Sequence, residues 1–509
     1  MPENYLLGID NGGTVAKAAL FTCEGRELAV ASSKTEVLSP QPGWAEFDMD
    51  RLWQASAAAV RQAIACSGVP ASRIAAVACT GHGNGLYLVD EHGKPVRTAI
   101  FSADSRARAY VERWTAAGVD QAVRPKTMQA LWPGQPNAIL AWLADHQPDV
   151  LRRARWALMC KDYIRMRLTG EVWGELTDMS GTSLMDVGSG EYDPAVLSAF
   201  GIAAVGDKLP PLRLSADVCG QVTSAAAAQT GLLAGTPVAG GMFDIDACAL
   251  SSARVDEGPL GMTFGTWGIN QYVSPEPVTH DVFMTSRYCL PGYYSILEGS
   301  ATSASNLEWF LGQWFPEAVR PADASGPSPY ESVDRLVAET DPRRSGLLFL
   351  PFLYGSNTAP DASASVVGLH AGHGRGDVAR AVYEGVVFGH RTHLDRLLKF
   401  RAMPERIRAS GGAARSDVWM QIVADACQVP VEIPEGTELG ALGAAICAAV
   451  ALGWYADYRS ACAAMVRVSR RFEPNPALAA TYDAKYARYR RLLEAMDPAW
   501  SDLSWKSCG

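Results

Sequence analysis

The sequence predicts an α/β protein built of two similar domains, and three observations carry that expectation. The chain has 509 residues, enough for two domains that each bury a core of their own. A strand, a glycine turn and a second strand occur at Leu6–Phe21, and the pattern returns near the middle of the chain at Pro259–Asn270. Each copy opens a half-chain in which short apolar strands alternate with helical stretches, as in a sheet covered by helices. The domains expected on this ground are residues 1–252 and 253–509.

Bulk composition narrows the function classes. Hydrophobic residues make up 48% of the chain, which fits a fully folded protein. A formal net charge of −9 disfavours nucleic acid or an anionic membrane as main partner, since either calls for a basic face. The 11 cysteines include no Cys-Xaa-Xaa-Cys pair, and Met1-Pro2-Glu3-Asn4 begins no targeting segment. The apolar stretches Leu347–Tyr354 and Ala441–Leu452 are too short, or too interrupted by glycine, to span a bilayer. The expectation is a reduced, cytoplasmic protein with no membrane segment.

Taken in order, the first hairpin reads as a phosphate grip. Gly12 and Gly13 carry no Cβ and are free to take positive φ, so the backbone can approach an anion. Thr14 adds a hydroxyl and Lys17 a cation, while Asp10 makes sense beside a phosphate if Mg²⁺ or its waters lie between them. An ordinary glycine hairpin is the competing reading. Neither hairpin has the P-loop spacing, and Gly81-His82-Gly83-Asn84-Gly85 misses the dinucleotide spacing.

Pro42-Gly43-Trp44 is a turn bearing an aromatic ring, followed by a helical run Arg51–Ser67. The apolar strand Ile74–Cys79 delivers His82 and Asn84 at its C-terminal end, where α/β sheets hold ligands; a plain solvated turn competes. Asp104 and Arg106 end a second short strand, with Asp104 equally readable as an N-cap. Helices over Ala138–His146 and Lys161–Thr169 read as structural layers, the latter stopped by Gly170.

Pro237–Ala239 is a strand that breaks at Gly240-Gly241 and presents Asp244 just before the second half begins. A carboxylate so placed can accept a proton from an alcohol while the hairpins hold a triphosphate. Asp246 competes, but residues two apart on a helix face different ways, so one of them faces the ligand; alternatively both merely cap the helix. In the second half, Gly265 and Thr266 repeat the phosphate turn, with a helix over Asn306–Trp314, a buried strand over Leu347–Leu353 and a helix from Asp377 to Leu398. His370, His373, His390 and His393 form two His-Xaa-Xaa-His pairs without the carboxylate motif of a zinc site. Gly411-Gly412 turns into a helix carrying Trp419, a shape that lets a flat ring lie on the backbone. The small residues from Gly440 on allow close approach by a helix or an adenosine, and Ala477–Met496 reads as a charged outer helix.

Two such domains about a nucleotide resemble the ribonuclease H-like fold of the actin, hexokinase and Hsp70 superfamily. Beyond that, the motifs resemble the FGGY family of carbohydrate kinases over nearly the whole chain. Ala364, Val366, Gly368 and Leu369, then Asp377-Val378 and Ala381-Val382-Tyr383-Glu384, fit that family's second signature. Gly411-Gly412 with Trp419, Gln421, Ala424 and Asp425 is similar to its adenosine segment, and Gly240–Asp244 to its catalytic-base segment. Within the family, Ser39–Glu46, Asn306–Phe310, Leu350–Asn357 and Ser416–Gln421 resemble the L-xylulose (3-keto-L-gulonate) kinase branch.

The departures also inform. Ile139 stands where the first family signature has lysine, Ser356-Asn357 where D-xylulokinases have Glu-Arg, Gly13 for a common threonine and Lys17 for a common arginine. His82-Gly83-Asn84 replaces the sugar-contact run of D-xylulokinases, and the Arg-Glu pair of glycerol kinases is missing. These argue against D-xylulose and glycerol, which with ribulose and other polyols are the alternative acceptors. A chaperone-like or filament ATPase of the same superfamily is the rival from another class.

The resemblance implies an ATP- and Mg²⁺-dependent sugar kinase acting on L-xylulose or a related keto-sugar acid, in a family whose members are often dimers. It implies Asp244 as base and Trp44, His82, Asn84, Asp104 and Arg106 as sugar contacts. Gly12, Gly13, Thr14, Lys17, Gly265 and Thr266 would serve the phosphates, Gly411, Gly412 and Gly440 the adenosine, and Asp10 the metal.

Overall fold

The computed structural model describes residues 4–315, 328–357, 359 and 361–503; Met1, Pro2 and Glu3, read above, lie outside them. The chain folds into two units, and neither is continuous in sequence. The first comprises Met1–Val255, Val273–Ile296 and Gly436–Val466; the second comprises Asp256–Tyr272, Leu297–Glu435 and Arg467–Gly509. A single cut at 252/253 therefore matches only the first crossing between them.

In the first unit the central sheet runs Val218–Gln221, Pro237–Ala239, Ile74–Gly81, Tyr5–Asn11, Val15–Thr22, Glu27–Lys34. The first three strands of the sequence form an antiparallel meander, and Tyr5–Asn11 then pairs parallel with Ile74–Gly81. The middle strands are buried on both faces. Leu7, Ile9, Ala18 and Leu20 point into a core with Trp53 and Val60 of the helix Met49–Ser67. Leu6, Ala19 and Phe21 point the other way, toward Ala441, Ala445 and Ile446 of the helix Leu439–Ala451. Gly8 explains why that late segment belongs here, because a Cβ on it would lie 1.9 Å from the Ala441 carbonyl oxygen. The helix Met49–Ser67 starts on the Asp48 side chain, which accepts from the Asp50 and Arg51 amides, and stops at Gly68 in the left-handed region.

The second unit repeats the plan. Its sheet runs Tyr294–Ser300, Gly268–Ser274, Pro259–Phe264, Arg406–Gly411, Val431–Pro434, Val468–Phe472. Pro259–Phe264 pairs antiparallel with the strand after its glycine turn and parallel with Arg406–Gly411, the same arrangement as around Tyr5–Asn11. The internal doubling seen in sequence is thus a doubling of sheet topology. The helices Arg375–Leu397 and Asp417–Cys427 cover the sheet, while the apolar run at 347–353 yields a strand only over Leu348–Leu350. Among the described residues no helix is long and apolar enough to cross a membrane.

Candidate active site

The first hairpin closes through the Gly12 amide, which donates to the Val15 carbonyl at 3.1 Å. Neither Gly12 nor Gly13 uses positive φ, so the sequence argument from left-handed backbone does not apply. Space is the reason for glycine at 13: a Cβ there would lie 2.8 Å from Cζ of Phe101. Thr14 is exposed at the tip. Lys17 is not a free cation for phosphate, because its ammonium pairs with Glu438 at 2.8 Å. Asp10, the last but one residue of its strand, is half-buried. Burial pushes its carboxyl up to about 6 against the opposing pull of Lys17.

Asp244 is the first residue of the helix Asp244–Leu250. Gly241, at φ +77, makes the preceding bend, and a Cβ there would lie 1.9 Å from the Cys79 carbonyl oxygen. Met242-Phe243 then runs parallel beside Thr80-Gly81. The Thr80 hydroxyl donates to the Met242 carbonyl at 2.8 Å, and the Phe243 amide donates to the Thr177 hydroxyl at 2.9 Å. The N-cap is Phe243, so neither acid stands at the capping position; Asp244 and Asp246 lie in the first turn, where Asp244 bonds the Ile245 backbone. Asp246 is fully buried and hydrogen-bonded to Ser295, whereas Asp244 is partly accessible. Burial, reinforced by the Asp10 charge, pushes the Asp244 carboxyl up to about 8.

The five residues expected at the sugar divide into two groups. His82 is a strut: its Nδ1 meets the Asn11 carbonyl at 3.0 Å and its Nε2 the Tyr87 hydroxyl at 2.8 Å. With both ring nitrogens engaged and its pKa depressed by burial to about 4, it has nothing left for a substrate. Asp104 is likewise occupied, accepting from the Ala45 amide at 2.7 Å and from Arg106 at 2.9 and 2.7 Å. Nor is Asp104 an N-cap, since the next helix begins at Arg108.

The other group keeps unused capacity. Arg106 is held by Asp104 and by Glu46, the latter at 2.6 Å, and lies 3.8 Å over the Trp44 ring. Its Nη1 is buried without a partner. Asn84 sits at φ +59, only 5% exposed, with Oδ1 also unpartnered. Trp44 is half-buried against Arg106 and Trp142. Glu46, which orients Arg106, has no sequence signal beyond its place after the turn.

In the second unit Gly265 and Thr266 border a cavity of about 670 Å³ that Tyr383, Gly412, Ser416 and Trp419 also line. That size suits a nucleoside. Gly265 closes its turn to the Trp267 carbonyl at 3.2 Å, also without positive φ. Gly411 stands at φ +91 with no room for a Cβ, which would lie 2.3 Å from the Phe264 carbonyl oxygen. Gly412 faces open space. Asp334, missed in sequence, accepts from the Tyr383 and Ser416 hydroxyls at 2.7 Å each and fixes that wall. Gly440 does not line this cavity. It belongs to the first unit, where a Cβ on it would lie 2.4 Å from Oδ2 of Asp10.

His390 and His393 are buried in side-chain bonds, and His370 is exposed. His390 bonds Asn270 and Ser303, His393 bonds Ser300 and Glu298, and His373 bonds Ser345.

Comparison with known proteins completes the picture. The model of the N-terminal domain of the FGGY family of carbohydrate kinases matches residues 5–251, and that of its C-terminal domain matches residues 260–452. The chain is 38% identical to the L-xylulose/3-keto-L-gulonate kinase of Escherichia coli (strain K12), over 97% of each chain. It is 38% identical to a probable L-xylulose kinase of Pasteurella multocida (strain Pm70), covering 97% of this chain and 99% of that one. Among solved structures it is similar to a xylulose kinase from Rhodospirillum rubrum, with TM-score 0.88 and 30% identity over 98% of this chain and all of that one.

Proposed function

Because the chain belongs to the FGGY family of carbohydrate kinases, we propose that this sugar phosphotransferase moves the γ-phosphoryl group of ATP to a hydroxyl of L-xylulose or a related keto-sugar. Asp244 carries the reading. It is a partly accessible carboxyl, held by its backbone at a strand-to-helix junction, with its pKa pushed up to about 8. A base with a pKa near the working pH is well matched to taking a proton from an alcohol. Asp246, its rival in the sequence, is sealed in the core.

Phosphoryl transfer through a loose transition state asks the protein mainly for alignment and charge neutralisation. With the Gly12 and Gly265 amides closing their own turns, the backbone at Gly13-Thr14 and at Thr266 would meet the phosphate oxygens. Gly412 and Trp419 border the cavity that suits adenosine, and Gly411 shapes the turn that leads into it. Asp10 and Asp244 fit a divalent cation. Both carboxyls are raised by burial, and the Asp10 charge adds to the shift of Asp244, so a cation there would relieve both. Mg²⁺ bound there would supply the positive charge that Lys17, paired with Glu438, does not. For the acceptor, Asn84, Arg106 and Trp44 keep unsatisfied or exposed groups, while His82 and Asp104 brace them. Ten free cysteines among the described residues support a reducing, cytoplasmic setting.

The deciding experiment is ATP consumption against a panel of ketopentoses, polyols and keto-sugar acids, with Asp244→Asn as control. L-xylulose is expected among the best acceptors, and the variant should lose roughly two to four decades of turnover at nearly unchanged ATP affinity. ATP hydrolysis indifferent to every sugar would overturn the reading.

A further inference from the structure

Asn137 is the most conspicuous polar group that the mechanism does not use. It lies in the first turn of the helix Pro136–His146, whose inward residues are otherwise alanine, isoleucine, leucine and tryptophan. The side chain is wholly buried, yet neither Nδ2 nor Oδ1 has a hydrogen-bond partner. Burying both ends of an amide dipole unsatisfied is costly, and folded proteins rarely tolerate it without water or a ligand to complete the bonds.

Its surroundings lead to the base. The Gly85 amide donates to the Gly134 carbonyl at 2.9 Å, which docks the Asn84-Gly85 turn on the segment entering the Asn137 helix. Asn84 is the second buried amide in this region with an unpartnered oxygen. Next to it, Gly83 lies against the Phe243 ring so closely that a Cβ would come within 2.2 Å of it. Phe243 is followed by Asp244. Backbone bonding of Gly85 to Gly134 and packing of Gly83 on Phe243 thus bring the segments that carry the two unsatisfied carboxamides together with the segment that carries the proposed base.

We infer that Asn137, together with Asn84, recognises the hydroxyl and keto oxygens of the sugar chain, and that Asn137 is a specificity-determining residue for the polyhydroxy part of the acceptor. A carboxamide both donates and accepts, as does each sugar hydroxyl, and it carries no charge to reward a carboxylate. The inference rests on the sugar kinase reading and on the position of Asp244 given above.

The test is Asn137→Leu, close to isosteric and apolar. The KM for L-xylulose, or for the ketose of highest turnover in the panel, is expected to rise roughly 10- to 100-fold, the scale for losing one or two hydrogen bonds from a buried amide. The KM for ATP should stay within about twofold. The Tm of the free protein should hold or rise, since an unsatisfied amide has been removed. An unchanged sugar KM with a falling Tm makes Asn137 structural and overturns the inference, as does an equal rise in both KM values. If Asn137→Leu does not fold, Asn137→Ala, which only deletes atoms, carries the same test. Calorimetric titration of the sugar into Asp244→Asn with and without Asn137→Leu separates the two readings. A base misassigned to Asp244 leaves Asp244→Asn active, while a wrong Asn137 reading leaves sugar affinity the same in both backgrounds.

Discussion

Thr177 fixes the residue that precedes Asp244: its hydroxyl accepts the Phe243 amide at 2.9 Å and donates to Glu175 at 2.7 Å. Glu175 is itself held by the Ser215 hydroxyl at 2.7 Å and by Lys161 at 3.3 Å, all of it buried. The carboxyl proposed as base thus owes its position to a backbone anchor 67 residues upstream. Thr177→Val keeps the shape and removes the anchor, leaving a buried N–H unpaired at a cost of about 1–3 kcal/mol. The expected result is a kcat reduced about tenfold or more with the KM for ATP unchanged. Thr177→Ser, which keeps the hydroxyl, should recover most of it. Parallel behaviour of valine and serine variants in a kcat and Tm comparison would remove the anchor from the mechanism.

The raised carboxyls fix the sign of the pH dependence. Asp10 and Asp244 hold their protons up to about 6 and about 8 in the folded state, while the unfolded chain releases them near 3.8. Folded protein therefore binds more protons across that window, so this contribution to stability is complete below about 4 and is lost as pH rises through the two folded values. Mg²⁺ competes with those protons, so its stabilising effect should grow over the same interval. Thermal melts from pH 5 to 9, with and without Mg²⁺, should diverge for the native protein and run parallel for Asp10→Asn. In the rate, the rising limb of kcat/KM should lie toward about pH 8 at limiting Mg²⁺ and move to lower pH as Mg²⁺ saturates, and Asp246→Asn should leave it where it is.

How much of this was legible in the chain depends on how far apart the partners lie. Both hairpins, the strand breaking at Gly241 and the turn at Gly411 were readable because their chemistry is local: a glycine, its neighbours and the adjoining strand. The partners of His82, Asp104 and Lys17 are not legible, because the groups that occupy them are remote or unremarkable. The Asn11 carbonyl lies 71 residues from His82, the Ala45 amide 59 from Asp104, and Glu438 across most of the chain from Lys17. The small size of Gly440 leaves both a neighbouring helix and an adenosine open, and only the packing of its helix beneath Tyr5–Asn11 shows that the missing Cβ makes room for Asp10. Asn137 sits in so apolar a helix that its sequence context argues for core.

Gly411 and Gly412 are adjacent and should respond in opposite ways. At Gly411 the backbone needs φ +91 and the space is filled by the Phe264 carbonyl, so Gly411→Ala should destabilise the second unit. A Tm loss of several degrees, consistent with about 1–3 kcal/mol of strain, is the expected outcome. Gly412 has an ordinary backbone and open space on the cavity side. Gly412→Val should leave Tm within about two degrees and raise the KM for ATP roughly tenfold or more by filling the wall, with the sugar KM unaffected. An unchanged KM for ATP in Gly412→Val would show that the cavity does not receive the nucleotide at this wall.

The contact between Gly440 and Asp10 gives the sharpest test of the metal assignment. A methyl group at 440 would sit 2.4 Å from Oδ2 of Asp10, and the nearest atoms belong to the far end of that side chain, so the carboxylate rather than the helix should move. Gly440→Ala also favours the helix Leu439–Ala451 intrinsically, since alanine is the better helix former by about 1 kcal/mol. Stability should therefore change little while the carboxylate is displaced from its position. The expected signature is a higher Mg²⁺ requirement and a kcat lowered roughly 10- to 100-fold, on the scale of losing a residue that orients a metal. Native Mg²⁺ dependence in Gly440→Ala, with the carboxylate seen displaced in a crystal structure of the variant, would remove Asp10 from the metal site.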